Sequence, residues 1–361
     1  MMSVRSLGNL AASCAFAVAF AASSVNAQEQ LTLAVEEAYV HPHSNIEVPT
    51  SLAGYQRNEV HQYVDDGLDV GINFRSADES QLLTLYIFRH TNGSVPVWFA
   101  QAQSVIEGGE KFDKPTAAIG PVSFTPPGAS QASGLVGVFQ PGSASNYKST
   151  GVALWSVGEW YVKLRASSAT QTPAELYRTM TDAMAQLAVP QSDTQAVAAV
   201  VDCSDKLSFG KASRDARGDA ADAVIGSLIG SILGDLAEEK QEEAGTDVPA
   251  VYCRDVTLDP SQAVYRPDAS KERYLLAIGD NGNGIAVGPE LRIDGISPGS
   301  AKKPRYLVVL HTAKQRVNFI SQDRLPSPKR VIELLQTNHV MSSQATWGDE
   351  RPLEVRSDAL K

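Results

Sequence analysis

Residues 158–187 read GEWYVKLRASSATQTPAELYRTMTDAMAQL, a strand followed by a helix. Ser156-Val157-Gly158-Glu159 has hairpin-turn composition, so residues 160–166 pair back on residues 150–156. Beyond the strand, residues 173–187 form an amphipathic helix with Leu176, Met180, Met184 and Leu187 on one face. Working outward, residues 134–139, 117–124, 82–90 and 68–74 read as further short strands, and 31–40 and 54–64 as mixed stretches able to hold strands. Pro96 opens a second helix, whose apolar face is Val97, Trp98, Ala100, Ala102, Val105 and Ile106 and which Gly108-Gly109 ends. Short strands with one helix midway and one at the end predict an α+β sandwich around an antiparallel sheet.

With this element order and this closing strand–helix unit, residues 31–190 resemble the Mog1/PsbP/DcrB-like group of small α/β sandwich domains. The resemblance covers about half the chain. It implies a binding or assembly role, because that group is mostly non-catalytic, and it supplies no site residues.

Pro190-Gln191-Ser192-Asp193-Thr194 reads as a linker into a second unit that begins with the strand-like AVAAVVDC at 196–203. Residues 263–265, 274–278, 284–287, 306–312 and 316–320 are its strand candidates. A helix starts at Ser327-Pro328 and carries Val331, Leu334 and Leu335. The predicted organisation is therefore a segment at 1–27, an α+β sandwich domain at 28–190 and a second α+β domain at 191–361. Each domain is a mainly antiparallel sheet with packed helices.

The first 27 residues have the form of a secretory signal: Arg5, an apolar run at 10–22, and Val25-Asn26-Ala27 before the cut. That run is too short to span a bilayer, which needs about 20 apolar residues. Removing it also removes Cys14 and leaves Cys203 and Cys253, which export to an oxidising compartment predicts to be paired. The expected location is periplasmic or secreted, with no transmembrane span after signal removal. Inside the predicted disulfide loop lies AVIGSLIGSILG, residues 223–234, where Gly226, Gly230 and Gly234 recur every fourth position. This glycine zipper predicts a helix whose small-residue face packs closely, within the chain or against a protein partner or second copy.

The 361 residues carry 31 basic and 41 acidic side chains, a net charge of −10, with no basic run; this argues against nucleic-acid binding. The chain has no H-E-x-x-H helix, phosphate-binding G-x-x-x-x-G-K-[ST] loop or C-x-x-C pair, and Ile296-Ser297-Pro298-Gly299 reads as a loop. Accordingly no catalytic, cofactor or metal residues are assigned. His41-Pro42-His43 downstream of Glu36 and Glu37 has metal-binding residue types but no third ligand at fixed geometry, and reads as a surface segment. Asp65-Asp66-Gly67-Leu68-Asp69 lacks the calcium-loop spacing and reads as a turn. Asp280-Asn281-Gly282-Asn283-Gly284 has the wrong spacing for a dinucleotide loop and reads as a hairpin turn. Trp98, Trp155 and Trp160 either line a ligand pocket or fill the core. The reading is an exported cell-envelope protein that acts by binding or assembly. The alternatives are a hydrolase whose site is assembled from distant residues, and a protein that self-associates through residues 223–234.

Overall fold

The computed structural model describes residues 29–31, 37–216, 250–290 and 305–355. The predicted signal and the glycine-rich stretch with Gly226, Gly230 and Gly234 lie outside them. After β1 (Glu29–Leu31), the short β2 (Tyr39–Val40) and β3 (Glu47–Val48) pair with each other, and β4 (Ser51–Leu52) folds back on β5 (Tyr55–Val64). β5, β6 (Asp69–Arg75) and β7 (Gln81–Arg89) form a meander that leads into α1 (Val95–Glu107). A second meander, β8 (Thr116–Phe124), β9 (Gly134–Gln140), β10 (Ser149–Val157) and β11 (Trp160–Ser168), leads into α2 (Pro173–Ala185). The meanders join through β7 and β11, giving the order β1-β5-β6-β7-β11-β10-β9-β8.

Alternation along the strands sends each face to a different partner. On β10, Ala153, Trp155 and Val157 face the cluster containing Leu176, Met180, Ala183 and Met184 of α2. Val152 and Leu154 face the cluster containing α1. Helix α2 starts at a capping box, in which Thr172 accepts from the Glu175 amide and Glu175 accepts from the Thr172 amide.

The second sheet runs in chain order: β12 (Val201–Asp202), β13 (Tyr252–Asp259), β14 (Gln262–Pro267), β15 (Tyr274–Ile278), β16 (Gly284–Pro289), β17 (Tyr306–His311), β18 (Gln315–Phe319), β19 (Val340–Ala345) and β20 (Leu353–Val355). All its pairings are antiparallel except β12 with β13. Helix α3 (Pro328–Gln336), capped by the Ser327 side chain, covers one face, where Val331 and Leu334 meet Val264, Leu276, Ile285 and Leu310. Cys203 and Cys253 form the disulfide that export predicts. Next to it, Arg266 is fully buried and ion-paired to Asp205 and Asp255.

The opposite face of the second sheet meets the first half of the molecule. Ala263, Tyr265, Leu275 and Ala277 share a core cluster with Trp98, Phe99, Leu154 and Tyr161. Helix α1 is therefore covered on both sides, and nine of its 13 residues are buried, including Gln101. Gln101 takes a hydrogen bond from the Tyr265 hydroxyl and donates one to the Pro260 carbonyl. At its end, a Cβ on Gly108 would overlap the Pro260 ring, so the glycine permits the close approach. Within the described residues the layers follow in the order α2, first sheet, α1, second sheet, α3.

One local expectation changes. Of the strand-like 196–203, the ladder keeps Val201–Asp202 alone. The residues before it lie along the first sheet: the Val197 amide donates to the Ala132 carbonyl, and its own carbonyl accepts from Ser123. Val197, Ala199 and Val200 pack against the α1 cluster. Apolar burial draws this segment, and no neighbouring strand offers it a continuous ladder.

Candidate functional site

A helix about 10 Å wide covers roughly two strands spaced 4.8 Å apart, and α1 lies over β9 and β10. Beyond its flank lies a cleft of about 540 Å³. Its floor is the face of β5, β6, β7 and β11 turned away from α2. Its sides are Val105 of α1, Lys111 of the following turn, and residues 279–281 from the β15–β16 hairpin.

Strand β11 reads Trp160-Tyr161-Val162-Lys163-Leu164-Arg165, so Lys163 and Arg165 share the cleft face while Val162 and Leu164 enter the core behind. Lys163 pairs across the ladder with Tyr86, and Asp69 pairs with Phe88. On β6 the intervening residue is Gly71, where a Cβ would lie 2.8 Å from the Tyr63 ring. Its absence lets Tyr63 and Tyr86 stack across the strand at 6.3 Å.

The hairpin supplies the counter-charges. The Lys163 Nζ donates to Asp280 Oδ2 at 2.9 Å and to the Asp280 carbonyl at 2.7 Å, and lies over the rings of Tyr86 and Phe88. The Arg165 Nη1 stands 3.5 Å from the same Asp280 oxygen. Asn281 donates to Asp69 at 3.2 Å. Gly282, with φ of +87°, turns its carbonyl toward the first sheet, where it accepts from Thr91 and from Asn92 at 2.9 Å.

These surroundings separate the two carboxylates. Burial pushes Asp69 up to about 6, against the opposing pull of Asn281 and Lys163. Burial acts the same way on Asp280, but Lys163 and Arg165 outweigh it and hold that carboxyl below its usual value. Burial lowers Lys163 and pushes Tyr86 up to about 12.

The raised Asp69 gives a pH prediction. Folded protein holds this proton more tightly than unfolded chain does. The contribution is therefore complete below about pH 4 and is lost as pH rises through about 6. Asp69→Asn is expected to raise stability at pH 7 by on the order of 2 kcal/mol and to match wild type near pH 4. Urea unfolding at the two pH values checks this, and a destabilised variant at pH 7 contradicts it.

The indoles do not come together. Trp98 belongs to the α1 cluster and donates its Nε1–H to the Asn92 carbonyl at 2.8 Å. Trp155 and Trp160 belong to the cluster on the opposite face of the sheet. All three are buried, and none lines the cleft.

His41 and His43 are held by the Asp65–Asp66–Gly67 turn, through Nε2 contacts with the carbonyls of Gly67 and Asp66 at 2.8 and 2.7 Å. His41 Nδ1 accepts from the Ser44 amide, and its ring lies 4.4 Å from Trp160. Burial brings His41 down to about 4. Two segments that read separately in sequence thus form one clasp. Glu36 lies outside the described residues.

Among the described residues no helix is long and apolar enough to cross a membrane. No protein family, curated protein or solved structure matches the chain.

Proposed function

We propose that this chain is an exported, non-catalytic binding protein of the cell envelope, and that the cleft between its sheets holds a small ligand. The observation that carries the reading is the cleft: its volume of about 540 Å³ falls in the range of roughly 300–1,000 Å³ usual for small-molecule sites. It joins an aromatic and aliphatic wall (Tyr63, Tyr86, Phe88, Leu82 and Val105) to a few convergent charges. The Cys203–Cys253 disulfide and the signal-like residues 1–27 support a periplasmic or secreted location. The resemblance of residues 31–190 to the Mog1/PsbP/DcrB-like group points the same way. In this reading residues 28–190 and 191–361 are two docked domains and the ligand lies at their junction, where such sites are common.

Val105 stands on the α1 wall, so Val105→Trp is expected to fill the cleft. Saturation-transfer NMR with a mixture of small organic compounds should show members that contact wild type and lose at least about tenfold affinity for the variant. Contacts of equal strength in both proteins would remove the cleft as the site.

One observation favours a hydrolase as the second reading: Asp69 and Asp280 occupy the same cleft with their proton affinities driven in opposite directions. Hydrolysis of ester, glycoside or phosphate substrates that Asp69→Asn abolishes would replace the binding reading.

A further inference from the structure

We propose that Lys111 and Arg165 form an anion-binding subsite in this cleft, and that its natural ligand carries a carboxylate or phosphate group on an apolar body. The inference rests on the cleft being a ligand site and adds the chemical class of what fills it.

The Arg165 side chain is 19% exposed, and its guanidinium makes no hydrogen bond among the described residues. Its one ionic contact among the described residues, 3.5 Å to Asp280 Oδ2, exceeds the usual N–H···O range of about 2.7–3.2 Å. That oxygen already accepts from Lys163 at 2.9 Å. A guanidinium has five donors in a planar fork suited to bidentate contact with carboxylate or phosphate. A fork that reaches the cleft with no hydrogen bond among the described residues is a capacity for ligand.

Lys111 supplies the second cation. Among the described residues its ammonium has no hydrogen bond or ion pair, and it rests 4.8 Å from the centre of the Phe112 ring. Burial lowers its proton affinity, and the like charge of Arg165 lowers it further, so the two cations repel each other without an anion between them.

The charge balance of the cleft agrees. Lys111, Lys163 and Arg165 face Asp280 and Asp69, and Asp69 carries its full charge only well above pH 6. The cleft is positive in a chain of net charge −10. The neighbouring hydroxyls are engaged elsewhere: Thr84 donates to Asn73 and Ser167 shares a hydrogen bond with Thr150. Lys111 and Arg165 are the charged donors of the cleft with no hydrogen bond among the described residues, the Tyr63 hydroxyl lines the same cleft, and Leu82, Val105 and Tyr86 meet the ligand's apolar part.

Three probes test this by amide chemical-shift titration of the protein: benzoate, its uncharged isostere benzamide, and inorganic phosphate. Benzoate or phosphate should shift the amides of Val105 and Arg165 saturably. Benzamide should bind about tenfold or more weakly than benzoate if it is benzoate that binds. Saturation by phosphate alone assigns a phosphate head and by benzoate alone a carboxylate head. Arg165→Gln with Lys111→Gln should cost about tenfold or more in anion binding while leaving benzamide unchanged. Should Arg165→Gln fail to fold, Lys111→Gln alone must still weaken the anion, since Lys111 holds no partner among the described residues. Benzamide binding as tightly as benzoate, with phosphate silent, would overturn the anion site and leave the cleft a binding site. Silence from all three probes would count against both.

Discussion

Replacing Asp280 by alanine is expected to lower the free energy of unfolding by about 3–5 kcal/mol, the cost typical of removing one member of a buried ion pair. Lys163 is 4% exposed and donates both of its hydrogen bonds to Asp280, one to the carboxylate and one to the carbonyl. Alanine keeps the carbonyl and removes the counter-charge, which leaves an ammonium against Tyr86 and Phe88 with no anion at contact distance. The loss arises from the stranded charge and is not a measure of what the pair contributes. Combining Lys163→Met with Asp280→Leu should therefore recover most of the stability, because a well-packed apolar pair often equals a buried ion pair. Equilibrium urea unfolding of the two variants separates these terms. A loss below about 1 kcal/mol for Asp280→Ala would mean that water reaches Lys163 in the folded protein.

The second large effect is expected at the disulfide. Cys203 and Cys253 close a loop of 50 positions, and the chain-entropy estimate for such a loop is about 4 kcal/mol. Cys203→Ser with Cys253→Ser should lose that amount, lowering the thermal midpoint by roughly 5 °C for a chain of this size. The neighbourhood gives the bond a local role as well. Arg266 lies opposite Cys253 in the ladder, places its Nε 3.2 Å from the Cys203 sulfur, and is held by Asp205 and Asp255 on the two arms of the loop. Retention of the wild-type midpoint in the double variant would show that these ion pairs and the β12–β13 pairing hold the arms without the covalent link.

The parts of the fold that were legible in sequence are those with local causes. Helices α1, α2 and α3 each begin beside a proline, and their apolar spacing marks the buried side. Strands β9 and β10 are apolar because both of their faces are covered. By contrast β13 reads YCRDVTLD, and its single fully buried position is Asp255, so no hydrophobic alternation reveals it. Likewise β19 (VMSSQA) buries Met341 and Ser342 but little else.

The site was legible in fragments. Asp280-Asn281-Gly282 is the hairpin turn its composition predicts, yet composition cannot show that its side chains cross to a partner strand 117 positions away. One local signal did exist: Lys163 and Arg165 sit two apart in an otherwise apolar strand, and therefore on one face. Two cations there imply either counter-charges or a ligand above the sheet, and among the described residues Asp280 is the carboxylate within ion-pair distance of both. The indoles carried no such information, because a buried tryptophan and a ligand-stacking one look alike in sequence.

The placement of α1 between the sheets also sets an order of events during synthesis. The helix is complete at residue 107, whereas β14 and β15, which cover its outer side, begin at 262 and end at 278. At about 5–20 residues per second, the covering strands follow the helix by roughly 8–30 seconds. During that interval the first sheet can close while the side of α1 that will meet Tyr265 and Leu275 stays open to other chains. Any factor that guards the chain through that interval must shield one helix face until the last third of the polypeptide arrives.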